Sequence, residues 1–222
     1  MTSQEFVTAA KYRLGLNIYP QEGVCPVRNC QKNMDTWGDH ALVCASSGER
    51  MARHNRLRDT LFSIASEGGL GPKREETDIV SGTQRRPGDI FIPGWVVGRD
   101  AAIDVTVVTP VQVSFVEKAA EIPLYAAKEA HRRKMAKNYD DLKTEGVEFI
   151  AVALETFGAW HPEARSHATR LFRQLARQIG EEEGVITSHC LKRISVTLQK
   201  GNVALLASRI PVFCRAVTDG QE

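Results

Sequence analysis

The sequence predicts an α/β fold of the α+β kind, a mixed central sheet flanked by helices, with a small cysteine-bearing module ahead of it. Three observations carry this expectation. The apolar patterning runs helix, three strands, helix, strand, helix. Two adjacent runs, "DIFIPGWVV" and "AAIDVTVV", are rich in β-branched residues and are separated by Gly98-Arg99-Asp100, a hairpin signal. A loop-like stretch before them holds three of the five cysteines. The 222 residues, 42% hydrophobic and 25% charged, suffice for one core with a small appendage.

The elements follow in order. "SQEFVTAAKYRLGL" is a short helical pattern closed by Gly15 and Pro20. "RHNRLRDTLFSIA" places Leu57, Leu61, Phe62 and Ile64 on the apolar side of a helix whose first half is basic, and "SEGGLGP" ends it. "REETDIV" reads as a strand, followed by the two runs quoted above, and Pro110 stops the second. Residues 117–143 are helical, with Leu124, Met135, Tyr139 and Leu142 as the apolar face. "VEFIAVAL" is a buried strand, and "HPEARSHATRLFRQLARQIG" is a helix with Gly180 as its stop. The stretch from Val185 to Ile210 reads as two further short helices. The expected organisation is a linker helix over 1–20, a zinc module over 21–50, the sheet domain over 51–182 and a helical C-terminal tail over 183–222.

A formal charge of +2 names no partner. No apolar run approaches the roughly 20 residues of a membrane span, and the N-terminus lacks the zones of a signal peptide. An intracellular chain with reduced thiols and no membrane partner is expected, and an odd cysteine count agrees. Cys25, Cys30, His40 and Cys44 follow the spacing C-x4-C-x9-H-x3-C. Thiolates and imidazole in two close pairs are the ligands of a structural tetrahedral zinc, and metal would supply the folding energy that so polar a loop lacks. The competing reading is three scattered cysteines and an unrelated histidine. Cys190 and Cys214 read as small buried residues. His54 is either a further polar contributor near the zinc loop or a solvated helix histidine.

Two carboxylates stand where strands do not favour them. Asp89 opens the first quoted run and Asp104 sits inside the second. Buried carboxylates are costly unless paired or metal-bound. Two on adjacent strands suit magnesium or manganese, an ion that activates water and neutralises a scissile phosphate. Asp89 alone also reads as a turn residue after Pro87-Gly88. The chemistry also asks for a cation aimed at the phosphate. Two residues after the second acid stands Thr106, so the candidates are Lys134, at the edge of the apolar face, and Lys137, nearer the opposite side. Arg53, Arg56, Arg58, Lys128, Arg132 and Arg133 join these lysines as candidates for neutralising DNA phosphates.

"GDHALVC", "ERMARHNRLRD", "RRPGDIFIPGW", "AIDVTVVTP", "HRRKMAKNY" and "VALETFGAW" occur in a telling order. Through them the chain resembles the C-terminal portion of site-specific non-LTR retrotransposon polyproteins of the R2 type, over about residues 5–175. Each motif alone is weak, and their ordered combination carries the specificity. The resemblance implies a CCHC zinc knuckle followed by a restriction-endonuclease-like domain of the PD-(D/E)XK fold. It implies metal-dependent nicking of target DNA that primes reverse transcription, a nuclear setting, and a reverse-transcriptase domain and element RNA as partners in a larger polyprotein. Asp89, in "RPGD" where the family has a plainer "RPD", matches the first acid, and Asp104 matches the second. Lys134 and Lys137 match the family's lysine pattern on the following helix, although Asn138 intervenes before Tyr139. Glu75 or Glu76 would add a further carboxylate. Cys25, Cys30, His40 and Cys44 match the knuckle with a wider spacing. No reverse-transcriptase domain lies in these 222 residues, which fits an excised domain, a fragment of a decayed element or a host protein that kept the domain. Two other readings stand beside the nuclease: a catalytically inactive or domesticated nucleic-acid-binding protein, and a structural zinc-bound interaction domain.

Overall fold

The computed structural model describes residues 1–45, 48–96 and 98–209, so Cys214 and the end of the expected tail lie outside it. The chain opens with α1 (Ser3–Arg13), closed at its start by a reciprocal Thr2–Glu5 capping box. A small hairpin, β1 (Gly23–Val24) and β2 (Asn33–Met34), and the short α2 (Asp39–Val43) follow. Then come α3 (Glu49–Glu67), β3 (Lys73–Arg74), β4 (Ile90–Val96) and β5 (Arg99–Val108). The second half contains α4 (Val116–Glu121), α5 (Tyr125–Thr144), β6 (Glu148–Glu155), α6 (Pro162–Ile179) and α7 (Glu183–Ala207).

The central sheet has the order β3-β4-β5-β6. The first two pairings are antiparallel, and β5 pairs with β6 in parallel. This is the expected mixed sheet, and helices cover both faces. Side chains alternate along each strand. Ile103, Val105, Ile150 and Val152 point to one face, where Leu57 and Leu61 of α3, Phe172 of α6 and Ile194 of α7 close the main core. Ala102, Phe149 and Ala151 point to the other face and pack against Leu142 of α5. The β4–β5 hairpin turns at Gly98, whose φ of +78° suits glycine. No helix among the described residues is long and apolar enough to cross a membrane.

The structure corrects the sequence expectation in three places. "REETDIV" is not a strand: β3 ends at Arg74, and Glu75 and Asp78 take left-handed backbone (φ +46° and +62°) that breaks an extended run. Residues 117–143 form two helices, interrupted at Pro123 with Leu124 left-handed (φ +62°). On α5 the buried residues are Ala126, Ala127, Asn138 and Leu142, whereas Tyr139 is exposed. The expected tail of two short helices is a single 25-residue helix, α7, built into the main core. Gly201 lies within it, and a Cβ at that position would collide with the Arg53 side chain.

A buried polar chain ties α3, α7 and the sheet together. Arg53 Nη1 donates to Asn202 Oδ1 at 2.8 Å, Asn202 Nδ2 donates to the Thr156 carbonyl at 2.8 Å, and Thr156 Oγ1 donates to Thr109 Oγ1 at 3.0 Å. Arg53 is only 3% exposed, and burial brings its pKa down to about 10. Asn202→Ala leaves that guanidinium without its partner and the Thr156 carbonyl with the longer bond from Gln199 Nε2 alone. We expect it to destabilise the protein by about 3 kcal/mol, read from the midpoint of urea denaturation.

Candidate functional site

The candidate metal centre is built from local turns. Cys25 follows β1, Cys30 lies in the hairpin loop, His40 is on α2 and Cys44 follows that helix. Asp35 organises the last part: its carboxylate accepts from the backbone N–H of Gly38, of Asp39 at 2.9 Å and of His40 at 2.8 Å. The four donors converge, with all ligand atoms within 4.8 Å of one another. Cys25 and Cys44 sulfurs are 3.9 Å apart, Cys30 and Cys44 sulfurs 3.6 Å, and Cys30 Sγ lies 3.3 Å from His40 Nε2. Zinc–sulfur bonds of roughly 2.3 Å in a tetrahedron put sulfurs roughly 3.8 Å apart. The group could hold a metal ion and is consistent with zinc. Burial and the neighbouring thiols raise the Cys25 pKa, and burial lowers that of His40. Crowded thiols resist joint ionisation, and a divalent cation removes that conflict.

This module is joined to the main body. Tyr19, Met34 and Leu42 form one apolar cluster with Leu205 and Leu206 of α7, and Tyr19 Oη donates to the Leu206 carbonyl at 3.0 Å. At Gly38 (φ +91°) a Cβ would collide with the Leu206 side chain.

The carboxylates meet at an edge of the central sheet. The register Ile90↔Ile103 sets Asp89 opposite Asp104, and Asp89 N donates to the Ile103 carbonyl at 2.7 Å. β5 runs on to Val108 past the start of β4, so its last residues have no strand on that side. A cleft of about 550 Å³ fills the notch, lined by Arg50, His54, Asp89, Asp104, Thr106 and Lys134 among others. Asp89 Oδ2 accepts from Val105 N at 2.6 Å, and its Oδ1 lies 3.1 Å from His54 Nε2. Lys134 reaches in from α5, with Nζ 2.9 Å and 2.8 Å from the two oxygens of Asp104.

The two acids sit in different fields. Burial tends to raise both. For Asp89 the His54 contact and the Val105 N–H prevail and hold it below the usual range. Asp104 is 7% exposed; burial, against the pull of Lys134 and with the push of Asp89, takes it up to about 6. Adjacent carboxylates whose protonation conflicts form a donor set suited to a hard divalent cation.

The remaining candidates divide. Lys134 joins the carboxylates because it lies seven residues after buried Ala127 and four before buried Asn138, on the stripe of α5 that faces the sheet. Lys137 is exposed and lines an adjoining cleft of about 410 Å³ with Arg50, Thr106 and Arg133. Arg132 and Arg133 are exposed but bonded to Glu129, which they hold down to about 2. Arg56 is exposed and lines a groove between α3 and α7, away from the carboxylates. Arg53 is a correction, since it is a buried partner of Asn202 and not an exposed phosphate contact. Glu75 lies beside Asp89, its backbone N–H donating to the Asp89 carbonyl at 3.1 Å, but its side chain and that of Glu76 are engaged by basic groups. Arg58 and Arg86 hold Glu75 at 2.6 and 2.8 Å, and Lys73 holds Glu76 at 3.2 Å.

Sequence reasoning assigned His54 to the zinc loop or to solvent, yet it pairs with Asp89. It also overlooked Arg50, whose i, i+4 spacing from His54 on α3 was the available signal. A second group, His131, His161 and Glu163, also brings its donors within 4.8 Å. Its imidazoles are stacked at 3.7 Å and 10°, and in-plane lone pairs of parallel rings do not converge on one ion. In comparison with known proteins, no protein-family model matches this chain and no curated protein matches it.

The shared cluster ties the cysteine–histidine group to α7, and through α7 to the main core. Cys44→Ser is expected to lose zinc by elemental analysis and to lower the thermal midpoint by on the order of 10 °C. Hydrogen exchange should show the loosening in Leu205 and Leu206 as well as in the loop.

Proposed function

We propose that this chain is a metal-dependent DNA endonuclease of the restriction-endonuclease-like, PD-(D/E)XK type, derived from a site-specific non-LTR retrotransposon. The observation that carries the reading is the convergence of Asp89, Asp104 and Lys134 in one cleft at the edge of the mixed sheet. Asp89 and Asp104 would hold magnesium or manganese, which supplies an activated water and charge neutralisation at the scissile phosphate. His54 and the Val105 N–H keep Asp89 ionised and pointed at the cleft. Lys134 replaces the strand lysine absent at Thr106, and its ammonium is placed to meet negative charge growing on a phosphate oxygen. Lys137 and Arg50, along the adjoining cleft, would take phosphates flanking the nick. In this reading the partners are nuclear target DNA and, in a larger polyprotein, a reverse-transcriptase domain with its RNA.

The test is nicking of supercoiled plasmid with magnesium, manganese or EDTA. Wild type is expected to nick only with metal, and Asp89→Ala and Asp104→Ala to abolish nicking while DNA affinity stays within about twofold. Lys134→Ala should slow it by about 10²–10³-fold. Tight DNA binding without nicking in any metal would replace this reading with a binding module.

A further inference from the structure

The helix that presents Lys134 has no cap of its own. Leu124, at the N-cap of α5, is left-handed and its side chain makes no capping bond. The acceptor comes from another element. Glu155, the last residue of β6 and 7% exposed, takes the Ala127 N–H on its Oε1 at 3.1 Å. Ala127 is the third residue of α5, the position an N-cap side chain ordinarily serves. The Glu155 backbone is itself pinned, donating to the Ala159 carbonyl at 2.8 Å and accepting from Gly158 N at 2.8 Å.

The spacing connects this bond to the cleft. Ala127 and Lys134 are seven residues apart, two turns on one stripe and roughly 10 Å along the axis. Leu142 packs at Phe149 while Ala127 meets Glu155, so α5 runs antiparallel to β6. Ala151 is the register partner of Asp104 and lies four residues before Glu155, roughly 13 Å along the strand. Fixing Ala127 at Glu155 therefore brings Lys134 close to the level of Asp104. We infer that Glu155 is the positioning residue for Lys134, setting the depth at which its ammonium enters the cleft. The inference rests on the nuclease reading for its effect on cleavage, but not for its effect on Lys134.

The experiment compares Glu155→Ala, Glu155→Asp and Glu155→Gln with wild type, and Glu155→Ala with and without Lys134→Ala. Single-turnover nicking, DNA affinity and the ¹⁵Nζ signal of Lys134 are measured on the full chain. Glutamine keeps an acceptor oxygen at the same reach, so it should nick within about twofold of wild type. Aspartate keeps the charge but falls short, so it and alanine should slow nicking about tenfold with affinity unchanged. Should alanine prevent folding, the contrast of aspartate with glutamine carries the test. On the Lys134→Ala background, Glu155→Ala should add nothing. The Lys134 signal should persist in wild type and Glu155→Gln and broaden away in Glu155→Ala and Glu155→Asp. An unchanged signal in both shortened variants, or equal slowing with and without Lys134, overturns the inference. If wild type does not nick, the nuclease reading fails and the lysine signal alone decides the positioning role.

Discussion

Two carboxylates, one buried and one half-buried, sit side by side where β4 begins, and the rest of the site is arranged around that constraint. Each acid loses hydration, and the charge of Asp89 pushes the Asp104 carboxyl up. Offsetting this takes groups from both faces of the sheet. His54 arrives on α3 from the main-core face, and Lys134 arrives on α5 from the opposite face. The third contribution is a backbone N–H: Val105 is paired with β6 but has no strand on its β4 side, because β4 begins at Ile90, and there it donates to Asp89. An early end to a strand thus opens the cleft and also frees the donor that steadies one wall of it.

The helices that deliver these groups are held by polar contacts at their ends and flanks. α3 is locked by Arg53 to Asn202 of α7, and α7 in turn holds the end of β6 through the Thr156 carbonyl. α5 is capped from β6 by Glu155. In a low-dielectric interior each such bond is expensive to leave unmade, so the network selects one docking of each helix. The candidate metal centre connects to the same frame. Its apolar cluster contains Leu205 and Leu206, three and four residues beyond Asn202 on α7. The four candidate ligands and the position of α3 beside the cleft are therefore linked through one helix.

Much of this was legible in the residues. The Cys25, Cys30, His40 and Cys44 spacing predicted a converging ligand set, because close pairs joined by a short loop leave few other arrangements. Asp89 and Asp104 stood out because a carboxylate among β-branched neighbours needs a partner. The preference for Lys134 as the inward lysine followed from helical spacing, although the face drawn through Tyr139 was wrong: small residues, Ala126 and Ala127, make the contact. The pairing of His54 with Asp89 was not legible, since the two are 35 residues apart and meet only after sheet and helix dock. Nor was the burial of Arg53, because a basic helix face reads as solvated until a second helix supplies Asn202.

The sequence by itself determined the local features: the mixed order of strands and helices, the ligand spacing, the hairpin at Gly98 and the two unusual acids. Those rest on periodicity and side-chain chemistry over a few residues. Only the tertiary structure decided which groups share a site. Register across β4 and β5 set the acids side by side, and the crossing of α3, α5 and α7 over the sheet chose His54, Lys134 and Glu155 from many similar residues. Such choices depend on long-range packing, where a one-residue slip or a modest helix rotation exchanges one partner for another.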